Sequence, residues 1–119
     1  MIASVYSVVL DCPDASALAA FYSAVTGLER TTDSPDRVVL GGAKPGSWRI
    51  AFQQTDKYVP PRWPDPNAPQ QFHLDLLVDD VDAAESMVLR LGARRLRIPG
   101  EDSRVYADPA GHPFCLVWE

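Results

Sequence analysis

Apolar positions along the chain alternate between stretches with the two-residue period of a strand and stretches with the 3.6-residue period of a helix. Residues 4–11 are β-branched and apolar, which is the composition of a buried strand. After Asp14, a candidate helix cap, apolar residues fall at helical spacing until Gly27, where a left-handed residue can end the helix. Residues 37–40 and 48–53 then indicate two strands joined by a glycine-containing turn.

The same pattern occurs again in the second half of the chain. Residues 72–78 predict a strand, a cluster of aspartates opens the next helix, and Gly92 ends it. Residues 94–98, 104–107 and 113–118 predict three further strands. The second half therefore follows the same order as the first, a strand, then a helix, then further strands.

A fixed offset supports this internal repeat. The helix-ending glycines, Gly27 and Gly92, are 65 positions apart, and so are the turn glycines Gly46 and Gly111. Self-similarity at a constant period indicates repeated structural units. We therefore predict two βαβββ modules.

A proline-rich stretch separates the two modules. Residues 55–71 hold five of the eleven prolines, a density that excludes helix and central strand and predicts an extended, partly polyproline-like connection. We predict one domain over residues 1–119, with module one at about 1–55, a connection at 56–71 and module two at about 72–119.

Charge and composition exclude several classes of function. The net charge of −5 argues against a nucleic-acid partner, because phosphate binding requires clustered Lys and Arg. No apolar run approaches the roughly 18 residues that span a bilayer, so no membrane partner is expected. Cys12 and Cys115 lie far apart in a chain without a signal-peptide pattern, which predicts reduced thiols and a cytoplasmic location.

Two segments carry a resemblance to a known family. The turn Asp-Pro-Ala-Gly-His-Pro before the last apolar strand and the segment PPRWPDPNAPQQFHLDL, together with the paired βαβββ modules, resemble the glyoxalase/bleomycin-resistance (vicinal oxygen chelate) superfamily, and more narrowly its actinobacterial glyoxalase-like domain branch. The resemblance implies an α+β fold in which the modules form a concave eight-stranded mixed sheet with the helices outside. It also implies a ligand in the cleft between the modules and a homodimer.

Strand alternation predicts which side chains face the helices and which face the concave surface, since successive side chains point to opposite faces. We expect the bulky apolar residues to pack under the helices. They are Ile50, Phe52, Phe114, Leu116 and Trp118. We expect the smaller or polar residues between them to line the cup. They are Arg49, Ala51, Gln53, Cys115 and Val117.

The superfamily resemblance also bears on metal binding. Metal-dependent members carry His or Glu at four equivalent strand positions, and these positions fall on Ser7, Ala51, His73 and Cys115. Only His73 is a usual ligand, so we expect no functional metal and no cofactor. This departure argues against glyoxalase-I-type isomerase and extradiol dioxygenase chemistry. A divalent metal held by His73 and Cys115 is the alternative.

Several polar residues are expected to face the cup. His73 and Asp75 share one strand face, where His73 could act as a general acid or base oriented by Asp75. Alternatively, Asp75 pairs with an arginine and His73 is structural. Arg104 and Tyr106 alternate with Val105 and are predicted to face inward as well.

Other residues complete the predicted ligand-binding set. Arg49 and Arg104 could bind a carboxylate or phosphate, or else form Arg–Asp pairs that stabilise the cup. Trp63, in the proline-rich connection, is a candidate for a pocket rim or lid, or for a strap packed on the sheet. Gln53 and Cys115 are the remaining predicted ligand-binding residues.

These observations lead to three hypotheses of function. The first is a metal-independent small-molecule binding protein of the glyoxalase/bleomycin-resistance type that sequesters or senses an unknown ligand. The second is a lyase or isomerase using His73 as acid or base, with or without a weakly bound divalent metal. The third is a dimeric interaction module whose cup is packed shut.

Overall fold

The structure, a computed structural model, describes residues 1–97, 100 and 104–119, and it divides into two units, Met1–Tyr58 and Val59–Glu119. Among these described residues, each unit contains one helix and four strands that form a single mixed sheet. The predicted α+β class and the two βαβββ modules are confirmed.

Unit one follows the order strand, helix and three strands. Its elements are β1 (Val8–Cys12), α1 (Ala15–Thr26), β2 (Arg30–Ser34), β3 (Arg37–Gly41) and β4 (Arg49–Gln54). The sheet order is β1-β4-β3-β2, with β1 parallel to β4 and the other neighbours antiparallel. Strand β2 was not predicted, because its sequence, RTTDS, has no apolar residue to mark it.

Helix α1 begins and ends as its sequence predicts. The Asp14 carboxylate accepts a hydrogen bond from the Ala17 backbone N–H at 3.0 Å, and Gly27 adopts a left-handed φ of 75°. Its buried face includes Tyr22, whose ring stacks on Phe52 of β4 at 5.5 Å. This contact places the Phe52 side of the sheet against the helix, as predicted.

Unit two repeats this arrangement. Its elements are β5 (Leu74–Leu77), α2 (Val81–Arg90), β6 (Arg94–Leu96), β7 (Val105–Ala107) and β8 (Pro113–Val117). The sheet order is β5-β8-β7-β6, with β5 parallel to β8. Asp80 caps α2 by accepting from the Ala83 N–H at 3.1 Å. Ile98, the last residue of the strand predicted at 94–98, lies outside the described residues.

The core of unit two centres on Tyr106 and Phe114, whose rings stack at 5.4 Å. Phe114 and Leu116 are buried, as predicted for the bulky apolar residues of this strand. Trp118 follows the end of β8 and is 52% exposed. The expectation that Trp118 packs under a helix is therefore wrong, because the strand ends before it.

The proline-rich connection contains no helix or strand among its described residues, as predicted. Part of it turns back on itself instead of staying extended. The Arg62 N–H donates to the Ala68 carbonyl at 2.7 Å, and the Asp65 N–H donates to the Arg62 carbonyl at 2.6 Å. The predicted polyproline-like course is therefore wrong for residues 62–68.

The Asp-Pro-Ala-Gly-His-Pro motif forms the turn between β7 and β8. The buried Asp108 carboxylate accepts hydrogen bonds from the backbone N–H groups of Ala110 at 2.9 Å and His112 at 3.0 Å. Gly111 has a φ of 95°, which favours glycine. The motif therefore has a structural role in holding this turn. Within the parts of the chain that the structure describes, neither helix has the length and apolar character needed to cross a membrane.

Candidate functional site

The sheet of unit two has one face turned to α2 and one face turned away from it. Leu76 and Leu116 are register partners on the helix side, whereas Asp75 and Cys115 are partners on the opposite side. His73 lies two residues before Asp75 and so shares its side. The two-residue spacing thus places His73 and Asp75 on one side, as predicted, and the pairing of β5 with β8 brings Cys115 beside Asp75.

The polar atoms of these three residues lie close together. One donor atom from each, an imidazole nitrogen, a carboxylate oxygen and the Cys115 Sγ, lie within 4.8 Å of one another. The His73 Nε2 is 3.3 Å from the Asp75 Oδ1, and their side chains are 35% and 59% exposed. We call these three residues the HDC cluster. It lies where water and small solutes can reach it.

Trp63 adds an aromatic surface to the HDC cluster. Its ring lies nearly parallel to the His73 imidazole, with an interplanar angle of 13° and a centroid distance of 6.1 Å. An indole in this position restricts the orientation of the imidazole. Trp63 therefore contacts a predicted site residue, as either a rim or a strap would.

A cavity of about 330 Å³ lies beside the HDC cluster. Its lining residues are Asp75, Arg104, Cys115, Leu116, Val117 and Trp118. The volume is at the small end of the range for small-molecule sites. The lining combines a carboxylate, a guanidinium and a thiol with apolar side chains, so it could hold a compact ligand that has both polar and apolar parts.

Arg104 and Tyr106 do not turn toward the face that carries the HDC cluster. The Arg104 Nη2 donates to Asp82 of α2 at 2.9 Å and its Nη1 donates to Glu85 at 3.3 Å. The fully buried Tyr106 donates its hydroxyl to Glu85 at 3.0 Å. The prediction that both residues face inward is therefore wrong, because α2 presents carboxylates that satisfy them on the helix side. Arg104 nevertheless lines one side of the cavity.

Glu85 is the centre of this helix-side network and also accepts from Arg95 at 2.8 Å. Burial raises the pKa of Glu85, but the hydrogen bonds from Tyr106 and Arg95, together with the positive charges of Arg95 and Arg104, outweigh burial and hold it below its ordinary value. Burial, followed by the hydrogen bond to Glu85, raises the pKa of Tyr106. The hydrogen bond to Asp82 raises the pKa of Arg104. Near pH 7, Glu85 and Arg104 are therefore charged and Tyr106 is neutral. This arrangement suits a structural network.

The candidate residues of unit one have their own partners. The Arg49 guanidinium lies over the Tyr6 ring at 4.3 Å and donates to the Gly42 carbonyl at 3.3 Å. Gln53 accepts from Arg37 at 3.2 Å and donates to the Asp36 carbonyl at 3.1 Å. Ligand binding by Arg49 and Gln53 stays a prediction.

A second cavity, also of about 330 Å³, lies beside Arg49. It is lined by Ser4, Val5, Tyr6, Ser7, Gly46, Ser47, Trp48 and Arg49. Tyr6 and Trp48 are both 73% exposed, and neither was among the predicted site residues. Both residues lie in segments whose apolar pattern predicted strands. That pattern gave no sign that their aromatic side chains are exposed.

The resemblance to the superfamily implies a divalent metal, so the residues at its four ligand positions can be compared with what such a metal requires. Ser7 and Ala51 supply neither imidazole nor carboxylate, so the four-position ligand set does not fit this chain. Unit two, in contrast, brings three possible donors together in the HDC cluster. His73 and Cys115 were predicted as possible metal ligands and Asp75 was not, although its two-residue spacing from His73 was the available signal.

Comparison with known proteins agrees with this architecture. Residues 7–117 match the family model described as a glyoxalase-like domain. A glyoxalase/bleomycin resistance protein/dioxygenase family enzyme from Burkholderia phytofirmans PsJN is similar with a TM-score of 0.75, at 21% identity over 98% of each chain. No curated protein matches the sequence.

Two further solved structures share the fold. The fosfomycin resistance protein FosX from Mesorhizobium loti has a TM-score of 0.68 at 16% identity, covering 98% of this chain and 91% of its own. The oxidase ChaP-H2 has a TM-score of 0.67 at 19% identity, covering 100% of this chain and 95% of its own. At these identities the likeness concerns the fold alone. The match of the family model over nearly the whole sequence, on two βαβββ modules, shows that the chain belongs to the glyoxalase-like domain family.

Proposed function

We propose that this protein binds a small organic molecule beside the HDC cluster, without the four-position divalent metal of the superfamily, and acts by sequestering or sensing that molecule. The observation that carries the proposal is the 330 Å³ cavity next to Asp75 and Cys115, with His73 and Trp63 stacked nearby. Homodimer formation and a cytoplasmic location stay predictions from the sequence.

The chemistry of the lining suggests what the ligand contains. The Asp75 carboxylate can accept hydrogen bonds from a ligand N–H or O–H group, or pair with a ligand cation. Trp118 lines the cavity and Leu77 is exposed on the same sheet face as Asp75, and both supply apolar surface. We therefore expect a compact aromatic or heterocyclic molecule that carries a hydrogen-bond donor, such as an amine or hydroxyl.

Thermal unfolding of the full chain in the presence of EDTA tests this proposal. A panel of aromatic amines, phenols and neutral heterocycles should contain compounds that raise Tm, because a ligand at about 100 times its Kd adds about 2.7 kcal/mol to the free energy of unfolding. Isothermal titration calorimetry of the hits then gives the affinity for each variant.

Matched substitutions locate the site. Asp75→Asn and Trp63→Ala should each weaken binding about tenfold or more, which corresponds to about 1.4 kcal/mol. Val9→Ala changes the equivalent strand position in unit one and should leave the affinity unchanged. Affinities that fall with Val9→Ala and not with Asp75→Asn, or a panel without a single hit, would count against the proposal.

A second function, a lyase or isomerase with His73 as acid or base, is favoured by the 3.3 Å contact between His73 Nε2 and Asp75 Oδ1. A neighbouring carboxylate can orient an imidazole for proton transfer. The fold accommodates catalysis, since one similar structure is an oxidase. Turnover of a bound compound separates the two functions. A binding protein shows none, whereas an enzyme shows turnover that His73→Gln lowers by about 100-fold or more while the affinity is kept.

A further inference from the structure

We propose that the cavity beside Arg49, which we call the unit-one cavity, binds a small aromatic carboxylate. The carboxylate pairs with the Arg49 guanidinium, and the aromatic ring of the ligand packs on Tyr6 and Trp48. Every residue that lines this cavity belongs to unit one, so the site is separate from the one beside the HDC cluster. The inference therefore goes beyond the proposed function and does not rest on it.

The pairing of two parallel strands explains where the unit-one cavity forms. Strands β1 and β4 are parallel, with Val8 and Ile50 as register partners. The residues that lead into the two strands therefore lie at the same end of the sheet. Residues 4–7 and 46–49 line a space of about 330 Å³ there. This volume is at the small end of the range for small-molecule sites and suits a ligand of one or two rings.

Tyr6 and Trp48 give the unit-one cavity an aromatic surface that the fold leaves in water. Both side chains are largely exposed, whereas Tyr22 and Phe52, which stack in the core of the same unit, are fully buried. Val5 is exposed as well and adds to the apolar surface of the lining. Exposed aromatic and apolar side chains that are grouped around a cavity are typical of a binding surface.

Arg49 supplies a positive charge to the same cavity. Its guanidinium lies over the Tyr6 ring at 4.3 Å, and its Nη2 donates to the Gly42 carbonyl at 3.3 Å. Among the residues that the structure describes, no carboxylate forms an ion pair with Arg49, whereas Arg30 has the Asp33 carboxylate at 3.6 Å. A guanidinium has five N–H donors in a planar fork that matches a carboxylate. Arg49 therefore keeps donors for an anionic ligand.

Gly42 holds the Arg49 side chain in place. A Cβ atom at residue 42 would lie 2.7 Å from the Arg49 Cγ and 2.8 Å from its Cζ, so only a residue without a side chain allows this close approach. Gly42 also has a φ of 81°, a left-handed conformation that favours glycine. Contacts with Gly42 and with the Tyr6 ring keep the guanidinium at the cavity. A side chain held in this way loses little conformational entropy when an anion binds.

The fold does not require an arginine at this position of the strand. Arg49 lies two residues before Ala51, and the corresponding residue of unit two is Pro113, two residues before Cys115. The order of strands in the sheet is the same with arginine in unit one and with proline in unit two. The charge of Arg49 is therefore available for a ligand, because strand pairing does not depend on it.

The charges of the molecule predict which ligands the unit-one cavity selects. The chain has a net charge of −5, which opposes the binding of anions wherever no local positive charge attracts them. The hydroxyl groups of Ser4, Ser7 and Ser47 also line the cavity and can donate to a carboxylate oxygen. We therefore expect an aromatic carboxylate to bind more tightly than the neutral amide of the same shape. The preference beside Asp75 should be the opposite, since a carboxylate attracts donors and cations.

Isothermal titration calorimetry of the full chain with benzoate and 2-naphthoate tests the proposal. We expect saturable binding at one site, with a Kd of about 100 μM or tighter for at least one of the two. Benzamide and benzylamine should bind about tenfold more weakly or worse than benzoate. The affinity for the carboxylates should fall as NaCl is added, because salt screens the ion pair with Arg49.

Nuclear magnetic resonance locates the bound carboxylate. The indole N–H signal of Trp48 can be identified by its loss in Trp48→Phe. Addition of benzoate should shift this signal more than the indole signals of Trp63 and Trp118, which belong to unit two. Each tryptophan thus reports on its own unit.

Substitutions assign the roles of the lining residues. Arg49→Met removes the charge and should weaken carboxylate binding about tenfold or more and abolish the preference over benzamide. Arg49→Lys keeps the charge without the planar fork and should recover part of the loss. Trp48→Ala changes an exposed side chain and should weaken the binding of carboxylate and amide alike. Arg30→Met is the matched control and should leave the affinity unchanged, because Arg30 lies outside the cavity.

Far-ultraviolet circular dichroism verifies that each variant is folded, and Trp48→Ala, the ligand series and the salt dependence decide the matter if the Arg49 variants are not. Several outcomes would overturn the proposal. They are equal affinity for benzoate and benzamide, unchanged affinity in Arg49→Met, shifts confined to the signals of Trp63 and Trp118, and the absence of saturable carboxylate binding.

Asp75→Asn keeps this proposal apart from the one beside the HDC cluster, since it should leave benzoate binding unchanged. If the carboxylates bind as expected while no amine, phenol or neutral heterocycle does, the proposal beside the HDC cluster alone fails. If compounds of that panel bind and respond to Asp75→Asn while neither carboxylate binds, the proposal for the unit-one cavity alone fails.

Discussion

The two units are built alike on the side of the sheet that faces the helix. Asp14 and Asp80 cap the two helices, each four residues after a strand leucine, Leu10 or Leu76. In each unit the first strand pairs in parallel with the last one, and the sheet order is the same. The helix-facing positions at the middle of each parallel strand pair are apolar in both units, Leu10 with Phe52 and Leu76 with Leu116, because they pack against the helix. This side of each sheet is therefore determined by folding.

The opposite side of each sheet differs between the units. Unit two places His73, Asp75 and Cys115 there, and the corresponding positions of unit one are occupied by Ser7, Val9 and Ala51.

Because the same sheet forms with either set, that side is free to acquire binding chemistry. The comparison predicts that substitutions on the helix side affect stability in both units, whereas substitutions within the HDC cluster affect ligand binding beside that cluster.

Removing the aromatic core should have the largest effect. Phe52→Ala and Phe114→Ala each delete a ring that stacks on a buried tyrosine, Tyr22 or Tyr106. Each should lower the free energy of unfolding by about 3–5 kcal/mol, measured by urea denaturation. A large loss for one variant and less than 1 kcal/mol for the other would contradict the equivalence of the two helix sides.

Glu85→Gln should have a smaller effect, confined to unit two. The substitution removes the charge that accepts from Arg95, Arg104 and Tyr106, so we expect a loss of about 1–3 kcal/mol, since hydrogen bonds to charged groups contribute on this scale. Urea denaturation of both proteins at pH 7 measures it. An unchanged free energy of unfolding would mean that the network contributes specificity without stability.

The contribution of Glu85 should also depend on pH. The folded-state pKa of Glu85 lies below its ordinary value of 4.5, so the unfolded chain takes up the proton first on acidification. The stabilisation is present above about pH 4.5 and is lost as pH falls through the folded-state pKa. The stability difference between the wild type and Glu85→Gln should therefore shrink below pH 4.5. A difference that grows on acidification would contradict the lowered pKa.

Helix caps should contribute less, and about equally in the two units. Asp14→Ala and Asp80→Ala each remove a side chain that accepts from a first-turn backbone N–H group. We expect each to cost about 1 kcal/mol in thermal or urea unfolding. The corresponding Asn variants keep an acceptor and should recover most of that loss. Failure of Asn to recover it would show that charge, and not the hydrogen bond, stabilises these helix starts.

The smallest effect on stability should come from the far side of the sheet. Asp75→Asn changes an exposed carboxylate and should alter the free energy of unfolding by less than about 0.5 kcal/mol, while it weakens ligand binding. A loss of more than 2 kcal/mol would show that Asp75 has a packing role, and the distinction between the two sides of the sheet would then be wrong for unit two.

Much of the fold could be predicted from the sequence because its signals are local. Asp14 and Gly27 mark the limits of α1, and the 65-residue offset reveals the repeated module. The strand β2 could not be predicted in this way, because Arg30–Ser34 is polar and forms through pairing with β3. Pairing partners distant in the sequence leave little local signal.

The candidate site shows the same division between local and distant information. Two-residue spacing placed His73 and Asp75 on one side of a strand, since both lie in one segment. The same rule placed Arg104 and Tyr106 on one side but could not decide which, because that depends on pairing with β8 and on Glu85 of α2. The polar character of Arg104 and Tyr106 suggested the concave side of the sheet. This was wrong, because a carboxylate on the helix can accept the hydrogen bond of a buried tyrosine hydroxyl.

The stacked ring of Trp63 has a stereochemical consequence for whatever reaches His73. One flat surface of the imidazole is directed toward the indole, so an incoming planar molecule meets the other surface or the nitrogen edge. At the nitrogen edge the molecule meets lone pairs and N–H groups of the imidazole. Interactions with these groups depend on the angle of approach more than on the size of the molecule. Selectivity at this histidine should therefore follow the direction of a partner's hydrogen-bonding or coordinating atom.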